Sequence, residues 1–148
     1  MTKLRRLDTP EGWIADRFIA VDWHDGPVEG ALSAKLGCAW FRLLDERIGA
    51  DGPNRRLFGL GRISNADFSA LVAACQFLQP ASELHALAWR PDGSSEWHRL
   101  ESVIARLETT SRRVALIVCT NDFSEVDAAW MVEGKPDEEA WTTLLDEE

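Results

Sequence analysis

The stretch RFIAVDWHDGPVEG, Arg17 to Gly30, joins a strand to a turn and leaves the chain few ways to continue. Ile19, Val21 and Trp23 alternate with Phe18, Ala20 and Asp22, so one face of an extended backbone is apolar and the other turns polar toward its end. Asp25-Gly26-Pro27 breaks the run, because glycine reaches backbone angles that other residues avoid and proline removes a ladder donor. The chain is expected to reverse here and return through Val28 to Leu32. A second alternating run spans Gly37 to Ile48, with Cys38, Trp40, Arg42 and Leu44 on one side and Ala39, Phe41 and Leu43 on the other. The turn-rich residues Gly49 to Asn54 end it, and Arg56 to Ile63 reads as its partner. Residues 1–63 are therefore expected to form an antiparallel β-meander.

Beyond residue 63 the period changes. Ser64 or Asn65 can cap a helix, Asp67 suits its first turn, and Phe68, Leu71, Val72, Cys75 and Leu78 form an apolar stripe up to Pro80. Glu83 to Trp89 reads as a short strand. Trp97, Leu100, Ile104 and Leu107 then fit one face of a second helix; the rival is a hairpin pairing 87–90 with 96–100 through Pro91-Asp92-Gly93. Val114 to Thr120 is uniformly apolar and suits a central strand. Ser124 with Asp127 can cap a short helix through Trp130, although Val126 to Val132 equally suits a last strand. Pro136 followed by Asp137, Glu138 and Glu139 marks a final helix start, with Trp141, Leu144 and Leu145 facing inward. The expected fold is one α+β domain over 1–148. It consists of a meander over 1–63 packed with helices and a mixed sheet extended by alternating helices and strands over 64–148.

A chain of 148 residues buries enough apolar surface to fold without disulfides or a structural metal. Cys38, Cys75 and Cys119 are odd in number and widely separated, which points to reduced, buried thiols in a cytoplasmic protein. Lys3, Arg5 and Arg6 have no apolar run behind them, so the start does not read as a signal peptide, and no stretch approaches a membrane span. The net charge of −9 is uneven. Residues 1–74 hold ten bases and ten acids, residues 75–113 five of each, and residues 114–148 hold Lys135 alone against ten acids. Such a sector repels nucleic acid and attracts a basic partner.

Four constellations bear on chemistry. Asp22 and His24 would point to one side of a strand beside Asp25, which suits a metal-dependent or acid-base hydrolase, but a catalytic zinc needs about three protein ligands and no further His is paired with them. Gly59-Leu60-Gly61 precedes a helix start, where a phosphate loop would lie; the third glycine is missing, and a crowded strand crossing explains the pair as well. Cys119 lies in an apolar run that should keep its thiol inert. Trp130 and Trp141 stand among Asp127, Glu133, Asp137 and Glu138, and an exposed ring beside carboxylates would anchor a basic protein. Inward packing of both rings is the plainer alternative.

The sequence therefore favours a non-enzymatic cytoplasmic binding protein, without cofactor or metal, whose acidic last quarter engages a basic partner. An immunity-type antagonist of a basic toxin is its concrete form, by analogy of size and charge alone. The alternatives are a small hydrolase using Asp22, His24 and Asp25, and a structural subunit of a larger complex.

Overall fold

Alternation of apolar residues in the N-terminal half does produce strands. The computed structural model describes residues 3–23, 26–47, 55–76, 85–86 and 95–133. Within them, β2 (Ala15–Trp23), β3 (Pro27–Ala34), β4 (Gly37–Arg47) and β5 (Arg55–Ile63) pair antiparallel in chain order. The sheet does not stop there. β7 (Leu116–Thr120) pairs with β5, β8 (Val126–Glu133) with β7, and β1 (Lys3–Arg6) with β8, all antiparallel. A two-residue β6 (His85–Ala86) lies parallel to β2, giving the order β1-β8-β7-β5-β4-β3-β2-β6.

This corrects the expected fold class. The chain is one predominantly antiparallel sheet, and the described residues contain two α-helices, α1 (Asn65–Cys75) and α2 (Ser95–Thr110), both inserted between β5 and β7. Residues 114–133 add strands rather than alternating helices and strands. The reason lies in β8, where Ala128, Trp130 and Val132 are buried together on one side while Ala129 joins the core on the other. That period of two is a strand's.

The sheet curls. Residues 7–14 must carry the chain from β1 at one edge to β2 beyond six strand spacings, about 29 Å if the sheet were flat. They include a 3₁₀ turn at Pro10–Trp13, which shortens their reach. Leu7 N donates to Ala129 O at 2.8 Å and Ala15 N donates to Phe123 O at 2.9 Å, so the start of β2 lies directly against the turn before β8. The enclosed concave side holds Phe18, Phe41, Phe58 and Phe123, with the ring centroids of five pairs 4.7 to 5.8 Å apart, and Trp13, Leu32, Leu60, Leu116 and Val118 around them. Arg56, alternating with Phe58, sits at one end of this core, where it donates to Pro27 O at 2.8 Å and meets Glu46 at 3.3 Å.

Both helices pack on the convex side. Phe68, Leu71 and Cys75 of α1 and Trp97, Leu100, Ile104 and Leu107 of α2 join Ile19, Ala31, Cys38 and Trp40. The Ser64 hydroxyl, one of the two caps that the sequence offers, caps α1 by accepting from Asp67 N at 3.0 Å. At the far end of α2, Arg42 reaches up from β4 and donates to the carbonyls of Glu108 (2.8 Å) and Ser111 (3.2 Å). A helix C-terminus is partly negative, so this cation both satisfies two carbonyls and complements the dipole. Glu29 on β3 fixes Arg42 at 3.2 Å and accepts the Trp40 indole N–H at 2.9 Å. The Glu108 carboxyl lies above its usual range because burial and Glu29 oppose its charge more than Arg42 favours it.

Candidate interaction face

The structure separates the constellations named by the sequence. Asp22 is exposed on β2 opposite Glu29, while His24 and Asp25 lie outside the described residues. No group of three His, Cys, Asp or Glu among the described residues is placed to hold a metal ion. Gly61 serves a chain crossing, since a Cβ there would lie 2.0 Å from the Ser111 carbonyl oxygen. Cys38, Cys75 and Cys119 are buried and outside any disulfide, and burial pushes the Cys75 thiol up to about 12. Cys119 is buried in β7, 1% exposed. No helix among the described residues is long and apolar enough to cross a membrane.

Of the acidic sector, Asp127 and Glu133 are exposed at opposite ends of β8, and Asp137, Glu138 and Trp141 lie outside the described residues. Trp130 is only 7% exposed, on the buried side of β8, with the Arg6 guanidinium 5.9 Å from its ring centroid. Its cation comes from its own chain. Glu133 meets Arg5 at 3.6 Å, so its charge too is partly answered within the protein.

Asp127 is in different company. Because residues 7–15 run antiparallel to residues 123–129, the fold lays the segment that carries Asp8, Glu11 and Asp16 alongside the one that carries Asp122, Glu125 and Asp127. Residues 7–16 and 114–133 contain no Lys or Arg at all. Five of the six acids are exposed, Asp122 is partly so, and none pairs with a Lys or Arg among the described residues. The neighbouring bases face elsewhere: Arg6 covers Trp130, and Arg17 lies over Phe68 on the helix side.

The turn that presents Asp122 and Glu125 is fixed from below. Phe123 adopts a left-handed backbone, φ 65°, which costs a non-glycine residue about 1 kcal/mol and persists only where other contacts impose it. Its ring is fully buried among the other phenylalanines. Above the ring, the Thr120 hydroxyl accepts from Phe123 N at 3.0 Å and donates to Glu125 O, and Ser124 N donates to Asp122 Oδ1 at 3.0 Å. An acidic turn held this way loses little entropy on meeting a partner.

Asp8, Glu11 and Asp16 were hidden in the sequence by regional sums, because residues 1–74 are neutral overall. A charge count over ten-residue windows gives residues 7–16 a net −3, but residues 21–30 score the same, and only the fold sets 7–16 beside 122–127. The chain matches no known family model, curated protein or solved structure.

Proposed function

We propose that this chain is a non-enzymatic binding protein that engages a basic protein through the ridge formed by Asp8, Glu11, Asp16, Asp122, Glu125 and Asp127. The observation that carries the reading is the juxtaposition of two base-free acidic segments on a turn anchored in the core. Like charges held together cost stability unless a partner or salt offsets them, and a fixed negative ridge accelerates encounter with a positive one. An immunity-type antagonist of a basic toxin in the cytoplasm is the concrete form of this reading, and its sign disfavours nucleic acid as the partner. The reading does not call on Trp130, whose ring is largely buried with Arg6 beside it.

The test is affinity capture from lysate of the native cell. A single basic chain should be retained by the wild type at about 0.15 M salt, where screening acts over about 8 Å, and released as salt rises. Triple reversal with Asp8→Lys, Glu125→Lys and Asp127→Lys, all at exposed positions, should abolish capture without lowering the melting temperature. Equal capture by wild type and variant would place the interface elsewhere.

A further inference from the structure

We draw no further inference here: the strongest candidate, the apolar patch of Leu57, Ile117, Cys119, Ala128, Trp130 and Val132 on the convex side of the sheet, carries nothing because nothing among the described residues shows what covers it.

Discussion

On the concave side of the sheet four phenylalanine rings pack in an apolar cluster with the Arg56 guanidinium only at one end, whereas on the convex side a guanidinium and two carboxylates sit between the sheet and the end of α2. The concave side is walled by strands that share hydrogen bonds with their neighbours, so its shape is set by the curl and cannot adjust ring by ring. A helix laid on a sheet can shift or roll. Apolar burial alone positions it loosely, and a polar contact of defined direction fixes where it ends. The difference teaches that in this fold dense packing holds the sheet together, while hydrogen bonds from Arg42 locate the end of α2 on it.

The largest effect should come from the centre of the ring cluster. Phe41→Ala is expected to cost about 3 to 5 kcal/mol in denaturant unfolding, because strands on every side prevent collapse into the cavity. Leu107→Ala, under α2, should cost less, since the helix can settle. Equal losses would show that the helix side is as rigid as the sheet interior.

Next in size is the tether. Arg42→Met leaves two helix-end carbonyls without this donor and Glu29 without its ion pair, and should cost about 2 kcal/mol. Hydrogen exchange should report the loss as faster exchange near the end of α2, with the amides of β7 unchanged. Uniform acceleration across the sheet would instead make Arg42 part of the global core.

Two buried tryptophans sharpen the contrast further. The Trp40 N–H is held by Glu29, whereas the Trp13 N–H, facing the apolar side, finds no acceptor among the described residues. Trp40→Phe should therefore lose about 1.5 to 3 kcal/mol, the usual worth of a bond to a charged group. Trp13→Phe removes an unsatisfied donor along with some volume, and its melting temperature should stay close to that of the wild type. A larger loss at Trp13 than at Trp40 would reverse this contrast between the two indoles.

The smallest effect concerns Glu108. Its folded pKa is raised, so its contribution to stability is fullest below the ordinary glutamate range and is lost as pH rises through the folded value. Glu108→Gln should thus raise the melting temperature slightly at pH 7. The gain should vanish below about pH 4, where the wild-type carboxyl is itself neutral. A gain that persists in acid would point to the amide's own hydrogen bonds.

Much of this architecture was legible in residue order. The alternation through β2 and β4, the turn that makes β5 a partner, the cap at Ser64 or Asn65, the Trp97-Leu100-Ile104-Leu107 stripe and the apolar run of β7 all carry a signal that physics reads directly. What escaped was short or neutral. β1, Lys-Leu-Arg-Arg, has a single apolar residue and looks like a charged tail until β8 supplies a partner. In β8, Val126 to Val132 includes two alanines that suit helix and strand alike, so tertiary pairing decided. The candidate face was legible by half: Asp127 stood in a visible acidic sector, but nothing local ties it to Asp8, Glu11 and Asp16.

The pairing of Lys3 with Glu133 sets a timetable for the growing chain. β2 to β5 meet through short connections and can form as they emerge, whereas β1, though made first, has no partner until β8 has been synthesised. Contacts so distant in sequence form late, because the intervening loop must close before they return anything. Until then β1 is an unpaired strand, and its run of positive charge, with Lys3, Arg5 and Arg6 in four residues, keeps copies of it on neighbouring chains apart. Charge of that kind disfavours pairing of an open edge with another chain, and in the finished fold Arg6 lies over Trp130.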